Sequence, residues 1–463
     1  MPSAAGLART IYDHSPAFLR GAVGGVPFGW RIGRTYRTTL RFLLQSDVWG
    51  AEQHRAYQTE RLDALLDGAI RRVPFYGRYH RLLGRPALRI LSEMEPIDKQ
   101  TVQADPERFL NPAVPADRTY RTSTGGTTGE PLKIILNKAG FQIEWAFMVC
   151  QWMRAGFRPG MSRATFRGVS FPRGGLWQAN PVYDELQFSP FAMSPENLGR
   201  YVQKLQQYRP DFLYGYPSAL TILARHYEMH PDVPVPKVKG LLCGSENIRP
   251  GQREYLAQVF KARPYSWYGM SEKVVLAGEC ERSTLYHAFP QYGITEIIDR
   301  ASNVSQAVGV EGELVGTGFM NTAMPLIRYR LGDYASIEAH TCDSCGRAFT
   351  VLGPIEGRWR QEMLVGRGGG RISLTALNMH GEVFKGVMRF QFHQQAPGCA
   401  TLYLVVGDNF NEARDLAIKK ALHDKTGDQI DWTVTHVEDL PLSPRGKSLF
   451  LVQEIEGADS LVM

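Results

Sequence analysis

From about residue 120 onward the chain alternates short strand-like runs with longer helical ones, and that alternation restricts the fold more than any other feature. The run Leu-Lys-Ile-Ile-Leu at 132–136 precedes a helical stretch over 140–153, and the run at 238–243 precedes another over 249–260. A strand that feeds a helix lays that helix on the face of a sheet, so repetition of the unit predicts layered α/β structure. Residues 293–299, 312–316 and 326–329 read as further strands. Ahead of this region, residues 1–95 read as mostly helical: Ala56, Leu62, Leu65, Leu66 and Ile70 fall at helical spacing within 53–72, and Pro74 then stops the hydrogen-bond ladder. Beyond Gly357 the character changes to strands at 387–391, 400–406 and 432–437 around a helix at 411–423, a small α+β unit. The Gly-rich stretch 353–370 is expected to be a mobile link. A chain of 463 residues exceeds one ordinary compact domain. The division expected is a basic helical arm (1–95) packed on a large α/β domain (96–357) with layered subdomains, followed by a small, mobile C-terminal α+β domain (358–463).

Charge sharpens this division. The net charge is +7, yet the first 90 residues hold 14 arginines, no lysine and 6 acids, a net of +8, which leaves −1 for the rest. The arm reads first as a solvated helical surface; the alternative is contact with an anionic partner, a membrane surface or a charged polymer. The second reading rests on Phe28, Trp30, Tyr36, Phe42 and Leu43 mixed with Arg20, Arg31, Arg34, Arg37 and Arg41. The even balance beyond residue 90 argues against nucleic-acid binding. No run approaches a spanning helix, and the N-terminus lacks the compact apolar core of a signal peptide. Six cysteines in this length do not form a disulfide framework, so a reducing, cytoplasmic setting is expected, with membrane-peripheral attachment open through the arm.

The residues Ser123-Thr124-Gly125-Gly126-Thr127-Thr128-Gly129 lie just before the first predicted strand of the α/β region. Glycines let a backbone approach a ligand closely, and exposed N–H groups and hydroxyls can surround a polyphosphate. A Walker loop is excluded, because the only Gly-Lys-Ser, at 446–448, has Pro441 where the first glycine must stand. A dinucleotide fingerprint is excluded because the run starting at Gly366 reaches Arg371 instead of a sixth-position glycine. No Gly-x-Ser-x-Gly nucleophile elbow is present.

The loop resembles the phosphate loop of the adenylate-forming enzymes, with Glu130 in place of the usual lysine and Pro131 retained. Other segments follow in the family's order. Ser245 and Glu246, in Cys-Gly-Ser-Glu, resemble the segment that closes over adenine. Tyr268-Gly269-Met270-Ser271-Glu272, with Trp267 ahead of it, resembles the segment whose aromatic ring meets adenine, whose hydroxyl meets phosphate and whose glutamate binds Mg²⁺. Asp333, closing Tyr-Arg-Leu-Gly-Asp, takes the place of the ribose-binding aspartate, a task suited to a two-oxygen acceptor. Arg358 matches the start of the hinge motif as a ribose or phosphate contact. Lys447 matches the C-terminal lysine that meets carboxylate and α-phosphate, so Lys447 and Glu272 are the catalytic candidates. The segments 73–76, 215–218 and 323–328 look like the phenylacetate–CoA ligase family, and the long arm looks like its capsular-polysaccharide-cluster branch. The hinge aspartates are replaced by Arg360 and Gln361, which puts the usual domain rotation in doubt.

Cys342-x-x-Cys345 supplies half of a tetrahedral metal site. Cys280 and His287, with six residues between them, are the best candidates for the other half, completing a Cys₃His structural zinc set; relatives in this branch are similar in carrying zinc near this point. The alternative is unrelated thiols in a reducing compartment. Phe141, Trp145, Tyr214, Tyr216, Pro217 and Trp267 either line an apolar or aromatic acid pocket or belong to the core.

The resemblance implies an AMP-forming ligase using ATP, Mg²⁺ and, by analogy, CoA, acting on a carboxylic acid of aromatic or aryl-acetic type. The acceptor is CoA or another thiol, including a carrier protein; the alternative is an amine or sugar hydroxyl in polymer or secondary-metabolite assembly. A non-enzymatic nucleotide- or polyanion-binding protein is the remote third reading. Dimerisation is common among such relatives and stays open here.

Overall fold

In the computed structural model the described residues are 25–123, 132–167, 171, 175–249, 251–356, 363–367, 371–377, 382–384, 386–407, 410–442 and 449–455. The principal helices are α1 (Arg34–Ser46), α2 (Ala51–Arg72), α3 (Ala139–Arg154), α4 (Pro195–Tyr208), α5 (Pro217–Met229), α6 (Gln252–Phe260) and α7 (Glu412–Thr426). The strands run from β1 (Thr119–Ser123) and β2 (Lys133–Asn137) through β3 (Arg163–Phe166), β4 (Trp177–Asn180), β5 (Glu185–Phe188), β6 (Phe212–Gly215) and β7 (Gly240–Gly244). They continue as β8 (Pro264–Gly269), β9 (Leu276–Gly278), β10 (Tyr286–Ala288), β11 (Gly293–Ile298), β12 (Glu311–Gly318), β13 (Tyr329–Ala339) and β14 (Thr350–Leu352). The C-terminal strands are β15 (Met363–Val365), β16 (Arg371–Ser373), β17 (Val387–Ala396), β18 (Cys399–Val406), β19 (Asp431–His436) and β20 (Leu451–Gln453).

The chain divides into two compact units: residues 1–160, 181–184 and 265–356 form the first, and residues 161–180, 185–264 and 357–463 the second. In the first unit the strands β11, β12, β13, β14, β10, β9 and β8 follow one another as antiparallel neighbours. The helix α2 shares its core with this sheet. Leu62, Leu66 and Ile70 on α2 share one buried cluster with Ile134 on β2, Leu314 on β12 and Leu352 on β14. Gln53 opens α2 by accepting from the Gly50 backbone N–H at 3.1 Å, and the chain leaves the helix at Val73 ahead of Pro74.

The strand expected at 326–329 begins only at Tyr329. Arg328 stands at φ +50°, left-handed backbone that a strand cannot contain. Its guanidinium is buried against Glu296 at 3.0 Å and donates to the Met94 carbonyl at 2.8 Å, which ties the helical segment to β11. Removing one partner of such a pair costs about 3–5 kcal/mol, because the other charge stays buried.

In the second unit β7, β6, β3 and β5 are parallel, and β4 closes one edge antiparallel. Parallel strands covered by helices must be apolar throughout, and β6 and β7 are buried at every position. Pro217 sits in the first turn of α5, where its missing N–H costs nothing. The C-terminal stretch of this unit contributes the sheet β19-β18-β17-β20. Its own core joins Phe392, Leu402 and Leu404 to Ile418 and Leu422 on α7. The link at 357–362 lies outside the described residues.

Candidate active site

In the first unit the structure brings two of the sequence candidates together. Tyr268 is the penultimate residue of β8, and its hydroxyl donates to a carboxylate oxygen of Asp333 on β13. Gly332, at φ +70°, turns the backbone just before Asp333 in a conformation that side-chain-bearing residues rarely adopt. A hydrogen bond to a charged group contributes roughly 1.5–3 kcal/mol, so Tyr268 orients the Asp333 carboxylate.

Glu272 is buried and accepts from the Tyr329 hydroxyl at 3.5 Å. The segment that carries it runs over bare backbone of β12. A side chain at Gly318 would meet the Lys273 carbonyl at 2.4 Å, and one at Gly316 would meet Val275 at 2.7 Å. Lys273 pairs with Glu144 of α3 at 2.9 Å, and Glu144 accepts in turn from Tyr292 at 2.8 Å. The chain just after Glu272 is thus held against β12 and to α3. Met270 is half-buried against the same core, Gly269 pairs with Leu276, and Ser271 is partly exposed beside Glu272. Ser123 is the exposed last residue of β1, paired with Lys133. The loop residues Thr124, Gly125, Gly126, Thr127, Thr128 and Gly129, together with Arg358 and Lys447, lie outside the described residues.

The same unit gathers a metal-ligand set. The donor atoms of Cys280, His287, Cys342 and Cys345 all lie within 4.8 Å of one another. His287 stands on β10, Cys280 follows β9, and the two remaining cysteines sit in the loop between β13 and β14. His287 Nδ1 lies 3.1 Å from the Leu285 carbonyl, which leaves Nε2 facing the Cys345 sulfur at 3.4 Å. The backbone N–H groups of Arg282 and Ser283 donate to the Cys280 sulfur at 3.4 and 3.1 Å, support suited to a thiolate. Burial pushes the Cys280 thiol up to about 11 and the His287 imidazolium down to about 4. Burial also raises Cys345, but hydrogen bonds from Arg347 outweigh it and hold that thiol below its ordinary value. Three sulfurs and one imidazole nitrogen at this spacing fit tetrahedral zinc.

One residue that patterning misses secures this loop. Arg347 pairs with Asp47 at 2.6 Å and with Glu281 at 2.8 Å, while Arg154 of α3 takes the other Asp47 oxygen at 3.0 Å. Asp47 sits at the end of α1, so the ligand loop is fastened to the helical arm.

The second unit places the remaining candidates at the carboxyl ends of its parallel strands, where open α/β sheets bind ligands. Ser245 follows β7 at φ +66°. Glu246 accepts from both the backbone N–H and the hydroxyl of Ser218, each at 3.1 Å, a carboxylate at the amino end of α5. Tyr214 and Tyr216 flank the end of β6, next to Pro217. Between them lies Arg167, which the sequence reading did not single out. Its guanidinium is 4.9 Å from the Tyr214 ring centre and 5.9 Å from that of Tyr216, and it donates to the Ser245 hydroxyl at 2.8 Å.

The aromatic candidates on α3 are placed elsewhere. Phe141 is 46% exposed, and Trp145 stacks on Tyr183 at 4.7 Å with its edge toward Phe28. Trp267 packs edge-on against Trp152 of the same helix.

Known proteins resemble this chain in sequence and fold. Over 326 residues the chain is 28% identical to a phenylacetate-coenzyme A ligase of Thermus thermophilus, an alignment covering 68% of this chain and 73% of that one. It is 21% identical to the protein CapK of Staphylococcus aureus across 96% of this chain and 99% of that protein. Residues 364–454 match the family model of the CapK C-terminal domain. The chain is homologous to the phenylacetate–CoA ligases and to CapK. Its fold is that of the adenylate-forming CoA ligases. A 2-hydroxyisobutyryl-CoA ligase in the postadenylation state superposes with a TM-score of 0.68 at 18% identity, covering 90% of this chain and 92% of that one. The same ligase in its thioesterification state superposes with a TM-score of 0.56. Among the described residues no helix is long and apolar enough to cross a membrane.

Proposed function

We propose that this chain is an AMP-forming acid–CoA ligase: it condenses a carboxylic acid with ATP to an acyl-adenylate and pyrophosphate, then transfers the acyl group to CoA. In the first step a carboxylate oxygen attacks the α-phosphorus and the α–β anhydride bond breaks. In the second the thiol sulfur attacks the acyl carbon, AMP leaves, and the thiol proton passes to solvent. The observation that carries the reading is the Tyr268–Asp333 pair, an oriented two-oxygen acceptor beside an aromatic ring, which suits a ribose and its base. Glu272 would hold Mg²⁺, which neutralises phosphate charge when bound, and its backing by Tyr329 keeps the carboxylate in one orientation. Lys447 is assigned to the carboxylate and α-phosphate by its motif alone. The Cys₃His set holds zinc as a structural clip between the β9–β10 and β13–β14 connections.

The acid is of aromatic or aryl-acetic type on the strength of the 28%-identical relatives' names. Delivery to an amine or sugar hydroxyl remains the second reading; the substitution of Arg360 and Gln361 for the hinge aspartates favours it, as does similarity to CapK over nearly the full length. Pyrophosphate exchange across an acid panel, repeated with CoA, separates the two. CoA-dependent thioester release supports the first, and hydroxamate trapping with no effect of CoA supports the second.

The arm, on this reading, rests on an anionic membrane surface. Trp30 is 69% and Val48 85% exposed, Leu44 lies between them, and no acid occurs from residue 25 to residue 46 while Arg34 and Arg41 point outward.

A further inference from the structure

Tyr268 on β8 meets Asp333 on β13, yet the two strands are not neighbours: β9, β10 and β14 lie between them in the sheet. Neighbouring strands are about 4.8 Å apart, so four spacings would hold β8 and β13 about 19 Å apart in a flat sheet, beyond the reach of the two side chains. The pair therefore forms only where the intervening strands curl β8 toward β13. Those strands are the ones that carry the metal-ligand set. His287 stands on β10 opposite Gly278 of β9, and Gly278 in turn lies opposite Trp267 of β8. Cys280 follows β9, and Cys342 and Cys345 stand between β13 and β14. A metal on the four donors ties the β9–β10 connection to the β13–β14 connection, at the strands whose curvature decides whether Tyr268 reaches Asp333. One side-chain link runs from this set to β8. The hydroxyl of Tyr286, the residue before His287, lies 3.0 Å from the Ser266 hydroxyl, across β9. Ser266 is buried and stands two positions from Tyr268 on the same face of β8, and Tyr268 and Tyr286 pack against one core.

We propose that the Cys₃His set and the nucleotide pair are energetically coupled: metal held on the four donors fixes the curl that brings Tyr268 to Asp333, and Tyr286, through Ser266, is the positioning residue that carries this to β8. The inference rests on the nucleotide role given above to Tyr268 and Asp333, and adds that the metal sets nucleotide affinity as well as stability. Coupling between two sites is reciprocal, so nucleotide tightens metal binding by the same factor by which metal tightens nucleotide binding. Tyr286 and Ser266 act through the strands and contact neither ligand.

The test measures AMP binding to the full chain by titration calorimetry, zinc-loaded and chelator-stripped, and zinc affinity by competition with a chromogenic chelator, with and without saturating AMP. The stripped chain is expected to bind AMP at least about 5-fold more weakly, and AMP to lower the zinc dissociation constant by the same factor. Tyr286→Phe keeps the ring and all four metal donors. Its zinc content and Tm should match wild type, while AMP binds at least about 3-fold more weakly and the difference between loaded and stripped chain shrinks. Ser266→Ala should do the same, and the double variant should bind no more weakly than either single one, as for two partners of one link. Equal AMP affinity in the loaded chain and in a stripped chain that stays folded by circular dichroism overturns the proposal and leaves the nucleotide and metal readings standing. If stripping unfolds the chain, Tyr286→Phe decides, and an AMP affinity unchanged from wild type overturns the proposal. Losses in the two single variants that simply add in the double variant also overturn it. A zinc-loaded wild-type chain that binds no AMP refutes the nucleotide reading itself, and the proposal falls with it.

Discussion

Replacing Cys342 with serine removes one of the four donors that converge within 4.8 Å. Structural zinc contributes roughly 10–16 kcal/mol of apparent binding free energy, as much as the whole stability of a typical domain. The four ligands come from two connections, β9–β10 and β13–β14, which the strand pairings β10–β14 and β10–β9 also join. Those pairings survive the loss of metal, so only part of the zinc term disappears. A third of it, about 4 kcal/mol, at 2–4 °C per kcal/mol for a large domain, predicts a fall in Tm of about 8 °C or more. Metal analysis of unchelated wild-type protein is expected to give close to one zinc per chain, and Cys342→Ser much less. Calorimetry before and after a strong chelator should show the fall in wild type and almost none in the variant. Zinc below about 0.2 per chain in wild type, together with a chelator-insensitive Tm, would refute the metal assignment.

Three further outcomes follow from the geometry. Asp333→Asn keeps the size of the side chain but removes its charge; the KM for ATP in pyrophosphate exchange should rise at least about 10-fold, and an unchanged KM would remove Asp333 from the nucleotide site. His226 is buried on α5, and burial lowers its imidazolium to about 4 from the ordinary 6.5. Below pH 6.5 the unfolded chain then binds a proton that the folded chain refuses, so stability falls as the pH drops from 6.5 toward 4, by up to about 3 kcal/mol. His226→Gln should flatten the urea-midpoint profile across that window, and an unaltered slope would show that His226 takes up its proton in the folded state. Vesicles containing anionic lipid should sediment the wild-type chain more strongly than a Trp30→Ser, Arg41→Gln variant, with the difference lost in neutral vesicles or high salt; equal sedimentation would count against the arm as a membrane contact.

Much of the fold was legible because its signals are local. The helix of residues 53–72 reads from apolar spacing and Pro74, and β2, β7, β11 and β12 read from apolar runs bounded by glycine or polar residues. The strand at 326–329 misled, because a buried Arg328 at φ +50° looks in sequence like one more member of an extended apolar run. The extent of the two units was not legible either: Leu62 and Leu352 share a core across nearly three hundred residues of chain, and no composition shift marks that. At the site, Cys342-x-x-Cys345 announced a metal half-site, and the structure brings Cys280 and His287 to it. Asp333 and Tyr268 came from short motifs, and their mutual hydrogen bond gives those motifs a geometry. Arg167 and Arg347 had no motif to carry them. An isolated arginine gains meaning only from tertiary neighbours, Tyr214 and Ser245 in one case, Asp47 and Glu281 in the other. Aromatic type alone does not separate a pocket wall from packing: Phe141 is half-exposed and Trp145 stacks on Tyr183.

The central claim is adenylate formation, and it is tested most directly by single-turnover mass spectrometry of the full chain with ATP, Mg²⁺ and an acid panel, in the absence of CoA. The account predicts an enzyme-bound acyl-AMP with one pyrophosphate released per adenylate, and its loss in Asp333→Asn and Lys447→Ala. Release of ADP and phosphate in place of pyrophosphate, or acid-independent ATP hydrolysis with no acyl-AMP from any acid, would contradict it.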